Sequence, residues 1–535
     1  MTPAAFRQGP WPHRLAALAA GLAAALAHPP FGLLPGLLGY GLIMHLVDRA
    51  DAGRPLRSAF LRGWLAGVAY FALSTWWVAE AFLVDIAAHG WMAPFAVTFM
   101  AAGIALFWGL GALLYRLAGV GGAWRLVAFA GAFSAAEWLR GHVLTGFPWN
   151  LVGETWRAGG AMSQAASLVG AYGLTFLTLL IAAAPALLIA GRRARGTGLA
   201  LGGAGALLAG LLLFGVVRLQ TPAAPAPDAP LIRIVQADIA QEAKYDPEKF
   251  TRILGAYVDL TRRPAARVPD IVIWPEGAIP ELADVYLAPG SWTRAAIAGA
   301  LRPGQTLLVG AARYGDVDGA LSYYNSLVVI RRQAEDLSID GVYDKHRLVP
   351  FGEYLPLKSV LGPLGVRELV RIGDGFTQGP PPRPLAVPGL PVLQPLICYE
   401  SLYPGFTRRG ARASGTAPAL IINVSNDAWF GATSGPLQHL NLASYRAIEE
   451  GVPMVRATPT GVSAMIDALG RVIPSTRLDS GQAGVIDAPM PPQVALTLYR
   501  RLGELPFLLF MIGALTVTLV FRLARVRQRA QDTGQ

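Results

Sequence analysis

The sequence predicts a two-part fold: a multi-pass α-helical membrane domain of about eight spans, and one α/β domain outside it. Three observations carry this reading. Of 535 residues, 53% are hydrophobic and only 15% charged, whereas soluble domains average about 25% charged; the mean hydropathy is +0.42. Apolar stretches crowd residues 1–219 and return once near the C-terminus. Between them, residues 220–497 alternate short β-rich runs with amphipathic segments, the pattern of α/β layering.

A membrane-crossing helix needs about 20 mostly apolar residues. That ruler marks 14–27, 31–47, 60–82, 90–115, 123–139, 167–190 and 197–217, with an eighth at 504–522. The first two are short and are split by His28-Pro29-Pro30, so a broken or re-entrant hairpin is an alternative. The run Gly202-Gly203-Ala204-Gly205-Ala206 suits close helix packing in lipid. Trp76, Trp77, Trp91 and Trp149 fit an interfacial aromatic belt. Glu80, Glu137 and Glu154 fall near span ends or in loops, where interfacial solvation explains them, and no buried chain of ionisable residues suggests an ion path.

The net charge of +11 is unevenly placed. Residues 1–219 hold 14 Arg and 6 acids, residues 498–535 hold 6 Arg and 2 acids, and 220–497 balances 25 basic against 26 acidic residues. A nucleic-acid footprint would need a basic patch on a folded domain; here the basicity flanks the apolar parts. The Lys/Arg bias of the loops puts the N-terminus and the basic tail inside, and 220–497 outside. The expected domains are therefore a seven-span domain at 1–219, an extracytoplasmic domain at 220–497, and a C-terminal span with basic tail at 498–535.

The Pro/Ala stretch Thr221–Pro230 reads as a linker. Strands are expected at Leu231–Gln236, Asp270–Trp274, Thr306–Ala312, Ser326–Ile330, Val392–Cys398, Leu420–Val424 and Val462–Ile466, and helices at 247–263, 292–301 and 437–450. Three motifs carry chemistry. Ile271-Val272-Ile273-Trp274-Pro275-Glu276 is a buried run ending in a carboxylate; alone, Glu276 reads as a surface or capping residue. Lys345, within Tyr343–Tyr354, is one of four lysines in a domain that otherwise uses Arg; alone it reads as solvated. Cys398, in Pro395–Glu400, is the one cysteine of the chain, which excludes intrachain disulfides and Cys-based clusters; alone it reads as core. Together, at strand ends where α/β sites gather, a carboxylate, an ammonium and a thiol make a covalent apparatus. No His cluster has metal spacing and no phosphate-cradling loop occurs; only His346 and His439 are available in this domain for Cys–His catalysis.

Glu, Lys and Cys in this order resemble the nitrilase superfamily, and more closely its membrane branch, the apolipoprotein N-acyltransferases. Trp274-Pro275-Glu276, Lys345–Tyr354, Ile397-Cys398-Tyr399-Glu400, Ser425–Gly431, Gly146–Asn150 and Arg446–Glu449 all look like that family's motifs. The resemblance implies a nitrilase-like αββα sandwich on a helical membrane base in the bacterial inner membrane. It implies acyl transfer from phospholipid to the α-amino group of diacylglyceryl-cysteine apolipoproteins, through a thioester on Cys398. Glu276 would be the general base, Lys345 the oxyanion stabiliser and Cys398 the nucleophile, supported by Glu353, Tyr399 and Glu400. Tyr245, Trp429, Phe430 and Leu361 are candidate substrate or lipid contacts, Phe351–Gly375 a candidate gating arm, and Tyr245 and Pro459 departures from the family pattern. No cofactor, metal or nucleic acid is expected, and the chain is expected to be a monomer. Two rivals remain: a membrane-anchored amidase using the same triad with water as acceptor, and a transporter or receptor, against which stand the lack of membrane-embedded charged pairs and of an internal repeat.

Overall fold

The computed structural model describes residues 11–189, 196–221, 224–317, 320–356, 358–361 and 375–533. The chain divides into two compact units: one of Met1–Ala79, Ala88–Thr221 and Arg501–Gln535, the other of Glu80–Ala87 and Pro222–Arg500.

The first unit is helical. Every apolar stretch marked in the sequence contains a helix, the principal ones being Trp11–Leu26, Leu38–Asp48, Pro55–Ser74, Ala93–Ala118, Arg125–His142, Ala166–Ala183, Thr197–Leu219 and Leu505–Thr533. Four helical stretches among the described residues are long and apolar enough to cross a membrane: Ile86–Ala118, Met162–Leu188, Thr197–Leu219 and Leu505–Arg525. Close packing uses glycines other than those expected. A Cβ at Gly21 would meet the Ala66 carbonyl oxygen at 1.8 Å, and one at Gly63 would meet that of Trp108 at 2.6 Å, whereas Gly202, Gly203 and Gly205 face open space.

Three expectations about polar and aromatic residues here are corrected. Glu137 is fully buried within Arg125–His142 and pairs with Arg140, one helical turn on. Trp108 Nε1 donates to Glu137 Oε1 at 2.9 Å, and Arg140 Nη1 donates to Trp149 O at 2.9 Å. Glu154 is also buried, its Oε2 accepting from Leu151 N at 3.1 Å. A buried charged pair therefore exists, because the i,i+3 spacing puts both groups on one inward face, and its absence no longer counts against a transporter. Trp77 and Trp149 are buried against each other, ring centroids 4.5 Å apart, rather than interfacial; Trp76 and Trp91 are exposed.

The second unit is built on two sheets. The first has the order β11-β1-β2-β3-β4-β5, with β1 Leu231–Gln236, β2 Ile271–Trp274, β3 Thr306–Val317, β4 Ala320–Arg332, β5 Leu337–Asp344 and β11 Gly484–Pro489. The second has the order β10-β9-β8-β7-β6, with β6 Leu393–Ile397, β7 Leu420–Val424, β8 Met454–Ala457, β9 Ser463–Ile466 and β10 Val472–Leu478. Strands β1, β2 and β3 run parallel, as do β6, β7 and β8. Buried largely on both faces, they are mostly apolar, which is why all of them but β8 are visible in the sequence. Ile271, Ile273 and Leu308 pack with Leu393, Ile397, Ile422 and Val455 in one core between the sheets. Val272, Trp274 and Leu307 face the opposite way, under helices Phe250–Arg262 and Trp292–Ala300. Helices Phe406–Ser414 and Gly435–Glu450 are the crossovers between β6, β7 and β8, which completes an αββα arrangement.

Strands β5, β8, β10 and β11 escape the sequence reading. β5 and β10 are edge strands carrying polar or proline residues, β11 is the other edge of its sheet, and β8 is only four residues long and contains a buried Arg456.

Candidate active site

Strand β2 ends at Trp274, and Pro275 turns the chain so that Glu276 stands beyond the strand end, 7% exposed. The turn packs so closely on β3 that a Cβ at Gly310 would lie 2.5 Å from Glu276 Cα and 2.7 Å from Pro275 O. Lys345 directly follows β5 and is 1% exposed; its N–H donates to Asn325 O at 2.8 Å. Its Nζ donates to Glu276 Oε1 at 3.1 Å and to Glu353 Oε1 at 2.9 Å. Asn325 Nδ2, from β4, donates to the same two oxygens, 2.7 Å to each. One ammonium and one amide thus hold two carboxylates together, and without them the like charges would repel. Glu353 Oε2 accepts from Val349 N at 2.8 Å, so Glu353 is fully engaged. Glu276 Oε2 is buried with no hydrogen-bond partner among the described residues.

Cys398 follows β6 and opens a short turn, Cys398–Leu402, with φ of 47°. A left-handed non-glycine residue costs about 1–3 kcal/mol and persists only when its surroundings hold it. The holders are visible. Glu400 Oε2 accepts from Ile397 N at 2.8 Å, while its Oε1 accepts from Tyr343 Oη at 2.9 Å and from His346 N at 2.7 Å. Ser401 Oγ donates to Cys398 O at 2.8 Å, and His439 Nε2 lies 3.3 Å from that oxygen. His439 Nδ1 is 3.1 Å from Asp427 Oδ1, and Arg456 Nη2 donates to Asp427 Oδ2 at 2.7 Å. A buried polar chain from the ends of β7 and β8 therefore reaches the Cys398 carbonyl.

Burial, and then the nearby Glu276 charge, push the Cys398 thiol up to about 12; Lys345 and the Ser425 hydroxyl pull the other way. The resting group is a thiol, so attack by this sulfur would require its proton to leave. Burial works against the Lys345 charge, but Glu276, Glu353 and Cys398 outweigh it and raise its pKa. Lys345 stays an ammonium; it can stabilise an oxyanion and cannot act as a base. Burial and the Arg456 charge lower the pKa of His439, so a neutral imidazole sits behind the cysteine rather than beside its sulfur.

Of the residues singled out in the sequence, Glu276, Lys345, Glu353, Cys398 and Glu400 come together here. Tyr399 is buried edge-on against Tyr403, centroids 5.3 Å apart. Phe430 is buried against the His439 ring, and Trp429 is half-buried beside it. The side chains of Tyr245 and Leu361, and residues 357 and 362–374 of the candidate gating arm, lie outside the described residues. Asn325 and Arg456 were missed in the sequence, and His439 was noted only as a candidate for Cys–His catalysis. For Arg456 the available signal was a charged residue inside the otherwise apolar β8; Asn325 stands between Tyr324 and Ser326 and carries no such signal.

Comparison with known proteins agrees with this construction. The profile of the apolipoprotein N-acyltransferase N-terminal domain matches residues 20–184, and that of the carbon–nitrogen hydrolases matches 231–497. An apolipoprotein N-acyltransferase of Caulobacter vibrioides is 57% identical over 97% of both chains. That of Rhodopseudomonas palustris is 37% identical over 97% of this chain and 96% of its own, and that of Brucella melitensis 40% identical over 90% of each. With a carbon–nitrogen hydrolase domain and full-length similarity of this degree, the chain belongs to the apolipoprotein N-acyltransferase family and is an acyltransferase.

Proposed function

We propose that this chain moves an acyl chain from a phospholipid to the α-amino group of diacylglyceryl-cysteine apolipoproteins, in two half-reactions through Cys398. In the first, Glu276 Oε2 takes the thiol proton as the sulfur attacks the ester carbonyl carbon. The resulting oxyanion faces Lys345. The C–O bond breaks, the departing glycerol oxygen takes the proton back from Glu276, and a lysophospholipid leaves a thioester behind. In the second, the amine attacks the thioester carbonyl, Glu276 receives the amine proton, the C–S bond breaks, and the thiolate is reprotonated as the amide departs. Glu276, Lys345 and Cys398 are the catalytic groups; Glu353, Asn325 and Glu400 position them.

The observation that carries this reading is the strained Cys398 turn in the same buried site as a carboxylate with one oxygen unengaged. The arginine distribution supports about eight spans, a 1–219 membrane domain, a 220–497 domain on the periplasmic side of the inner membrane and a 498–535 span with its tail inside. A monomer contains every group the mechanism uses. The test is mass spectrometry of protein incubated with phospholipid: an acyl adduct on Cys398, lost in Cys398→Ala and discharged by a lipopeptide with a free amine. An adduct that survives Cys398→Ala sinks the mechanism. Discharge by water at the same rate as by the lipopeptide favours the amidase instead.

A further inference from the structure

Lys244 is one of the four lysines of the chain and lies in the turn Glu242–Tyr245, far from Lys345 in sequence. The mechanism above does not use it. Its Nζ is buried and has no hydrogen-bond partner among the described residues. A Cβ on Gly277 would come within 3.7 Å of that Nζ, so the ammonium lies against the turn that carries Glu276. Gly277 itself has φ of 56°, a left-handed conformation that suits glycine.

A buried ammonium with no partner is costly, and proteins pair such groups or neutralise them. Burial lowers the pKa of Lys244 to about 8, opposed by the Glu276 charge. Glu276 does not supply the missing partner: its Oε1 is taken by Lys345 and Asn325, and no hydrogen bond joins its Oε2 to Lys244. The missing partner is then an anion that enters with a substrate. Between the two substrates proposed above, the acceptor brings an amine and neutral acyl chains to the reacting end. The donor brings a phosphodiester a few bonds from the ester carbonyl.

We propose that Lys244 binds the phosphate of the phospholipid donor and so sets the enzyme's preference for a charged glycerolipid as acyl source. This rests on the two-step reading of the reaction. Lys244 makes no covalent bond and moves no proton; it is a specificity-determining residue of the first half-reaction alone. The ammonium donates charge-assisted hydrogen bonds to phosphate oxygens, and its desolvation, already met in the empty site, is repaid when the donor arrives.

The test measures acyl-adduct formation on Cys398 in full-length wild type, Lys244→Met and Lys244→Arg. The donors are phosphatidylethanolamine in mixed micelles and an uncharged p-nitrophenyl ester of the same fatty acid. The expected result for Lys244→Met is a KM for the phospholipid raised about ten- to a hundredfold, as loss of a hydrogen bond to a charged group predicts. The p-nitrophenyl ester should acylate Cys398 as fast as in wild type, and Lys244→Arg should recover most of the phospholipid KM. Discharge of pre-acylated enzyme by the lipopeptide should not change. An unchanged phospholipid KM in Lys244→Met overturns the inference. So does an equal loss with both donors, which would mean that Lys244 acts through Glu276 or through the fold. Failure of wild type to form any adduct with phospholipid overturns the two-step reading itself, and is told apart because it does not depend on residue 244.

Discussion

Asn325→Ala removes the amide that joins two carboxylates, and its effect divides between activity and stability. The wild-type Nδ2 donates 2.7 Å bonds to Glu276 Oε1 and Glu353 Oε1. A hydrogen bond to a charged group is worth about 1.5–3 kcal/mol. The bond to Glu276 orients the proton acceptor, so its loss should slow acylation of Cys398 roughly ten- to a hundredfold, each factor of ten being about 1.4 kcal/mol. The bond to Glu353 holds the turn at Val349–Glu353 and should appear as about 1.5–3 kcal/mol of lost stability. Asn325→Asp should be worse. A third carboxylate would stand about 2.7 Å from the other two, a repulsion of about 6 kcal/mol per pair even at an effective dielectric of 20; one carboxyl would take up a proton instead, and Glu276 would lose its capacity as a base. The assay is the single-turnover rate of acyl-adduct formation, followed by mass spectrometry, beside thermal melting in detergent. An Asn325→Ala variant that acylates within about twofold of wild type, a difference under ~0.5 kcal/mol, would refute the claim that the amide organises the base.

Two further predictions follow from the same geometry. Gly310→Ala should drive its new Cβ into Glu276 Cα and Pro275 O, at 2.5 and 2.7 Å, costing about 1–3 kcal/mol and slowing acylation; melting and acylation both at wild-type values would show that the Glu276 turn yields freely. The free Cys398 thiolate should not accumulate in the native protein until pH approaches 12, while the unfolded thiol ionises near its ordinary 9.0. Because the folded value is the higher one, this contribution to stability is complete below pH 9 and is lost as pH rises from 9 to 12. Thiolate ultraviolet absorbance on folded protein that reaches half its maximum at pH 9 or below would contradict it.

The residues most legible in the sequence were those whose chemistry is rare in this chain. One cysteine, four lysines and a carboxylate after a buried apolar run narrowed the covalent apparatus before any geometry was known. The parallel strands other than β8 were equally plain, since burial on both faces favours mostly apolar runs. The edge strands were not, because a half-exposed strand tolerates Ser338, Asp340 or Pro474 and reads as loop. In the helical unit, Glu137 read as solvated because a single sequence does not show which face of a helix turns inward. Trp149 read as interfacial for the same reason, although it is buried against Trp77.

By itself, then, the sequence determined that an apolar helical part accompanies an α/β domain, and picked out the three side chains that the proposed reaction uses. Residue type and local periodicity are properties of short segments, and they survive in one dimension. Only the tertiary structure decided how those groups work. Asn325 is 49 residues from Glu276, and Lys345 is 69 from it. The free Oε2 of Glu276, the left-handed turn at Cys398, the His439 chain behind it and the unpaired Lys244 all arise where separate strand ends converge. Hydrogen bonds and charge coupling depend on distances of a few ångströms between such segments, and spacing along the chain does not encode them.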